Sequence, residues 1–420
     1  MGIEITTLPN GLRVVTDHVA EIDSVAIGVW ADVGTRHEDL THNGVAHMVE
    51  HMLFKGTPTR DTLQIGEQVE NVGGNMNAYT GRENTAYYIR LLKDDFAFAL
   101  EILADMIQNS TFPEDEMDKE RDVILQEIGM TFDTPDDIVF DWYQETAYPK
   151  QALGAPILGT ADIISNMKQD TLFEYVKRFY TPDRLVVSAA GGVPHEDVVR
   201  EAKRLFANLP QASNENYIPA DYQGGEHRAE KPLEQSHIVL GFQGVRRDDP
   251  DYYAAVLLST MLGGGMSSRL FQEVREKRGL VYSVYSSHTA FHDDGQMEIY
   301  AGTGPEKLPE LIPVVCDEVQ KMVQECVSAE ELSRAKAQIK TSMLMSRESM
   351  LSRANRQAKY LINKNEALDI AALVDKVEAV SADSVCAMAG RMFASKPTLA
   401  AVGPLAELEP LDDIRKRLSA

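Results

Sequence analysis

Two histidines four residues apart, His47 and His51, with Glu50 directly before the second, make HMVEH the stretch of this chain best equipped for chemistry. Val45, Met48, Val49 and Met52 around it follow the i, i+3, i+4, i+7 spacing of an amphipathic helix, with Asn43 placed to cap its start and Gly56 to stop it. At about 100° per residue these four apolar side chains gather on one face, and His47, Glu50, His51 and Phe54 fall on the opposite one. Imidazoles one turn apart can reach a single tetrahedral cation. Glu50 stands beside them, where it can take a proton from water activated by that cation. The same residues would also serve a surface helix as its wet side. The order HxxEH is the zincin motif reversed.

A catalytic zinc takes three protein ligands and keeps a position open, so another element must supply one. The acidic stretch DEMDKERDVILQEIGM offers Glu120 and Glu127, seven residues or two helical turns apart and therefore on one side of a helix. By spacing alone this is equally a solvated acidic face.

The scaffold is large enough to hold ligands from separate elements. Its 420 residues, 44% hydrophobic and 25% charged, predict a soluble globular chain of two or three domains. No apolar run is long enough to span a membrane, and the start MGIEITTLPNGLRVV lacks the form of a secretory signal. A cytoplasmic location is expected, or the mitochondrial matrix for a processed organelle protein. Three scattered cysteines make neither a disulfide framework nor a thiolate zinc site. The net charge of −24 argues against nucleic acid and favours cationic partners.

The chain repeats itself at an offset of about 213 residues. SVAIGVWADVG from Ser24 matches SHIVLGFQGV from Ser236, TFPEDEMDKERDVILQEI from Thr111 matches CVSAEELSRAKAQIKTSM from Cys326, and RLVVSAAGGV from Arg184 matches PTLAAVGPL from Pro397. Strands, long helices and the hairpin-like NMNAYTGRENTAYYIRLL alternate irregularly, which predicts an α+β fold of two duplicated domains, each a mostly antiparallel sheet packed with helices. The expected division is residues 1–210, a polar Gly- and Pro-containing linker at 211–234, and residues 235–420. At the repeat offset the two histidines fall near Thr260 and Gly264 and Glu127 falls near Ser342, so the second copy has no such metal site.

Through LPNGLRVV, VGTRHE, GVAHMVEHMLFKGT, GGNMNAYTGRENTAYY, ERDVILQEI, ALGAPILG and REKRGLVYSV, in that order, the chain resembles the pitrilysin-type inverzincin zinc metallopeptidases. It is most similar to the branch holding the mitochondrial processing peptidase β subunit and its bacterial homologues. The resemblance implies one zinc per chain on His47, His51 and Glu127, with Glu50 as general base and Glu120 as an accessory carboxylate near the metal. It implies that Arg275 and Tyr282 contact substrate from the second domain, and that Asn77, Ala78 and Tyr79 lie on an edge strand that pairs with peptide. Asp137 and Asp141 match positions that recognise an arginine two residues before the cleaved bond. Phe54, on the metal-facing side of its helix, would favour a large apolar residue just after it. The expected activity is that of a zinc endopeptidase cleaving extended, unfolded, basic, presequence-like peptides inside a chamber closed by two chains, as a homodimer without nucleic-acid or membrane partners. The alternatives are a non-catalytic partner subunit and a broad-specificity oligopeptidase.

Overall fold

In the computed structural model of the protein, residues 2–210 and 217–419 are described, and the first part of the expected linker, 211–216, lies outside them. The chain divides into two units. The first comprises Met1–Gly129, Ala155–Ile218 and Leu344–Asp369, the second Met130–Gly154, Pro219–Met343 and Ile370–Ala420. Two segments thus change places relative to chain order: 130–154 packs in the second unit and 344–369 in the first.

The first unit carries strands β1 (Ile3–Thr7), β2 (Arg13–His18), β3 (Ser24–Ala31), β4 (Gly56–Thr57), β5 (Arg60–Asp61), β6 (Asn75–Thr80), β7 (Thr85–Leu92) and β8 (Leu185–Gly191). Strands β4 and β5 form a small ladder of their own, and the rest make one sheet in the order β1-β2-β8-β3-β7-β6. Every pair in it is antiparallel except β2 with β8. Strand β3 shows why this sequence makes a central strand. Val25, Ile27, Val29 and Ala31 enter the core on one face, and Ala26 and Trp30 enter a second core on the other. Side chains alternate across a strand, so burial on both faces demands the uninterrupted apolar run SVAIGVWA.

Helices α1 (Val45–Met52), α2 (Thr62–Asn71) and α3 (Phe96–Asn109) supply Val45, Met48, Val49, Met52, Ile65, Leu100 and Leu103 to the first core. The other face is covered by helix Met350–Lys364, through Ala354, Ala358 and Leu361. Small residues let that helix lie close to the sheet. Burying Trp30 requires a partner for its indole N–H, and Nε1 donates to Asn355 Oδ1 at 2.9 Å.

The second unit repeats the plan. Strands β9 (Gly225–Glu230), β10 (Ser236–Gln243), β11 (Val281–Ala290), β12 (Gly295–Thr303) and β13 (Thr398–Gly403) order as β11-β12-β10-β13-β9, with β13 and β9 the one parallel pair. This matches β6-β7-β3-β8-β2 strand for strand, so the sequence repeat is a structural one. Helix α4 (Glu114–Asp133) leads into α5 (Pro135–Ala147), whose Val139 and Tyr143 pack on Val239, Ala400 and Val402. Gly241 is required there, because a Cβ at that position would lie 2.1 Å from the Tyr143 hydroxyl.

Candidate metal centre

Helix α1 enters through Gly44, whose φ of 92° is in the left-handed region and whose added Cβ would lie 2.8 Å from the Cα of Gly159. Glycine can cap in that conformation but has no side chain to bind the exposed amides of the first turn. Glu38 does so from outside the helix. Its Oε2 accepts from Gly44 N at 2.8 Å and from Asn43 Nδ2 at 3.0 Å, and its Oε1 accepts from Ala46 N at 2.8 Å. Asn43, expected to cap α1 itself, instead ties the carboxylate and Pro156 O together. Burial pushes the Glu38 carboxyl up to about 7, against the amide bonds that favour its charged form. This buried cap was missed because it acts from six residues before the helix entry, outside any local capping pattern.

With α1 so fixed, Met48, Val49 and Met52 are fully buried and the two histidines emerge together, ring centroids 4.5 Å apart. Glu127 reaches them from α4. Its Oε2 lies 3.7 Å from His47 Nε2 and 3.8 Å from His51 Nε2. All three donor atoms fall within 4.8 Å of one another, and among the described residues this is the one group of three or more His, Cys, Asp or Glu so arranged.

The residues suit zinc on three counts. Donors at these separations can each stand about 2 Å from one ion between them. Glu127 Oε2, which faces both imidazoles, is buried with no hydrogen-bond partner. His51 Nδ1 is 2.8 Å from Glu120 Oε2, the outer carboxylate contact that orients a ligating imidazole and leaves Nε2 with its lone pair free. Lys55 Nζ holds the other Glu120 oxygen at 2.6 Å. His47 Nδ1 is buried without a partner, so only His51 has such a support.

The electrostatics divide the two imidazoles. Burial, helped by His51, lowers His47 to about 4, which keeps it neutral as a ligand must be. Burial also opposes charge on His51, but the Glu120 hydrogen bond and the charges of Glu127, Glu120 and Glu50 outweigh it and raise the ring. Glu120 is correspondingly lowered, first by its bond to His51. Burial raises Glu50 despite hydrogen bonds from Thr80 at the end of β6, which is the direction that suits a proton acceptor and donor near neutrality.

The remaining expected residues are placed as follows. Phe54 is partly buried against the first core, 6.5 Å from the Tyr87 ring. Strand β6 is an edge with β7 as its one neighbour in the sheet. Asn77 is exposed on it, Ala78 packs toward the α1 core, and Tyr79 points to the opposite face, where its hydroxyl donates to Asn355 Oδ1 at 2.8 Å. In the second unit, Arg275 sits in the π-helical turn Phe271–Glu276 with its guanidinium 5.2 Å from the Tyr282 ring, and Tyr282 is 78% exposed. Asp137 and Asp141 lie one turn apart on α5, the first exposed and the second partly buried. Near Thr260, Gly264 and Ser342 no comparable ligand group occurs among the described residues.

The His-His-Glu group lies within the span matched by one sequence family, and a second family matches the following part of the chain. The pattern for "Insulinase (Peptidase family M16)" matches residues 13–161, and that for "Peptidase M16 inactive domain" matches residues 166–339. A protein named an uncharacterized zinc protease in Rickettsia felis is 39% identical over 404 residues, covering 96% of this chain and 98% of its own. The uncharacterized zinc protease YmxG of Bacillus subtilis is 37% identical over 401 residues, covering 95% and 97%. The chain belongs to peptidase family M16. Solved structures share its fold: a protease from Helicobacter pylori superposes with a TM-score of 0.88 at 24% identity, covering 96% of this chain and 99% of that one. A chain from Pseudomonas fluorescens described as a peptidase M16 inactive domain gives 0.89 at 22%, covering 98% and 100%. No helix among the described residues is long and apolar enough to cross a membrane.

Proposed function

We propose that the protein is a zinc endopeptidase that cleaves extended, unfolded, basic peptides inside a chamber closed by two identical chains. The observation that carries the reading is the convergence of His47, His51 and Glu127 donor atoms with Glu50 on the same helix face. The relatives named zinc proteases support the zinc-protease part of it. Zinc held there supplies Lewis acidity, polarising the scissile carbonyl and making water a stronger acid.

The chain's own groups do the rest. Glu50 accepts a proton from the attacking water and returns it to the leaving amine. Glu120 holds the His51 ring in the ligating tautomer. The free edge of β6 pairs with peptide backbone, which binds many sequences with little side-chain discrimination. The guanidinium of Arg275 and the exposed phenol of Tyr282 donate to substrate carbonyl oxygens and to the developing oxyanion. Asp137 and Asp141 hold an arginine two residues before the bond, and Phe54 favours an apolar residue just after it.

The specificity is tested with paired peptides carrying Arg or Ala at that second position. The wild type is expected to favour Arg in kcat/KM by about 10-fold or more, the range of a hydrogen bond between charged groups. Asp137→Asn/Asp141→Asn should lose the preference and keep cleaving the Ala peptide. An undiminished preference in the double variant removes these aspartates from the substrate site.

The two-chain chamber rests on the resemblance to the pitrilysin-type peptidases, which implies a chamber of four such domains where this chain carries two. Each zinc site would then be served by Arg275 and Tyr282 of the partner chain. Mixing the separately inactive Glu50→Gln and Arg275→Ala chains should restore about a quarter of wild-type activity, because random pairing makes half the dimers mixed and each of those has one intact site. Verified mixed dimers without activity would confine the site to one chain.

A further inference from the structure

The three cysteines occupy different surroundings. Cys316 is buried in helix Leu308–Gln324, where burial pushes its thiol up to about 12 and leaves it inert. Cys326 is exposed in the turn between that helix and Ala329–Met345, and Cys386 is part-buried in helix Ala382–Phe393. Helices Leu308–Gln324 and Ala382–Phe393 share one core through Val319, Met322, Val385 and Ala389. That packing brings the Cys326 and Cys386 sulfurs to 2.9 Å, although the residues are 60 apart in sequence.

We propose that Cys326 and Cys386 are a redox modification site, converted by peroxide-class oxidants into a reversible intrachain disulfide. The sulfurs need to close from 2.9 Å to about 2.05 Å, a movement within the reach of side-chain torsions. The order of steps follows from the surroundings. The exposed Cys326 meets the oxidant first: its thiolate attacks one peroxide oxygen, the O–O bond breaks, and a sulfenic acid forms with release of hydroxide. The Cys386 sulfur then attacks Cys326, the S–O bond breaks, and water leaves with the Cys386 proton. In sum, two thiols and one hydrogen peroxide give one disulfide and two waters. Burial and the neighbouring Cys326 raise the Cys386 thiol to about 11, which disfavours its thiolate as the first attacker on peroxide. A dithiol reductant reverses the reaction.

The linkage has a mechanical consequence. It encloses residues 327–385, and the stretch 344–369 within them belongs to the first unit while both cysteines belong to the second. Closing a loop of that length removes conformational freedom from the unfolded chain, so oxidation stabilises the fold. Cys326 and Cys386 both belong to the second unit, whereas His47, His51 and Glu127 belong to the first.

The test uses the zinc-loaded full chain treated with a small excess of hydrogen peroxide, alkylated, digested without reductant and analysed by mass spectrometry. The expected result is a peptide pair joining Cys326 to Cys386 with a loss of about 2 Da, while Cys316 remains alkylatable after denaturation. The melting temperature should rise by about 5 °C or more and return on addition of dithiothreitol. Cys326→Ser and Cys386→Ser should each abolish both effects. Oxidation of Cys326 to sulfinic or sulfonic acid with Cys386 still a free thiol would overturn the proposal, as would a Cys326 disulfide between two chains.

Discussion

Glu50→Gln is expected to lower the rate of peptide cleavage by at least about 100-fold and leave zinc content unchanged. The substitution is nearly isosteric and keeps a group able to bond with Thr80, so α1 retains its place. What it removes is the ability to accept a proton, in a carboxyl whose burial already holds it above the ordinary range. His47, His51 and Glu127 are untouched. The comparison is made by measuring kcat on a cleavable peptide alongside metal analysis of the same preparation. Activity within a few-fold of wild type would assign the proton transfer to another group. A parallel loss of zinc would mean that Glu50 supports the ligands instead of reacting.

Much of this site was legible before the structure, because its signals are local and periodic. The wheel positions of Met48, Val49 and Met52 against His47, Glu50 and His51 follow from helical geometry alone, and the structure buries the first set to 0% exposure. The runs at Ser24 and Ser236 read as strands because both faces are buried, and the repeat offset between them is the topological match of β3 with β10. Spacing put Glu120 and Glu127 on one side of α4 but could not say that one meets His51 Nδ1 and the other the two Nε2 atoms.

What escaped the sequence was tertiary. Glu38 caps α1 through a loop, with no capping spacing to betray it. The exchange of 130–154 and 344–369 between units leaves no mark in composition, since an amphipathic helix packs equally well on either of two related sheets. Tyr79 alternates onto the far face of β6, a consequence of the strand's period that a motif match does not consider. Cys326 and Cys386, scattered along the chain, meet only because two helices pack together.

The second large effect concerns the ligands themselves. Glu127 Oε2 lies 3.7 Å and 3.8 Å from the two imidazoles, and among the three candidate ligands Glu127 is the one that comes from a second helix. Removing it leaves two donors on α1, too few to hold zinc against dilution, so Glu127→Ala and His51→Ala should each lose most of the metal. Glu120→Ala should do less, weakening zinc by about 10- to 100-fold, because it takes away the orientation of His51 and not a donor. Fold integrity is checked by circular dichroism, since α4 remains anchored by Met117 and Ile124 in the first core. The most direct measurement is zinc K-edge absorption on the purified wild-type chain, with zinc content determined for Glu127→Ala beside it. The account predicts one zinc per wild-type chain in a shell of nitrogen and oxygen donors that includes two imidazoles, and little zinc in the variant. A shell containing sulfur, or full zinc occupancy after Glu127→Ala, would contradict it.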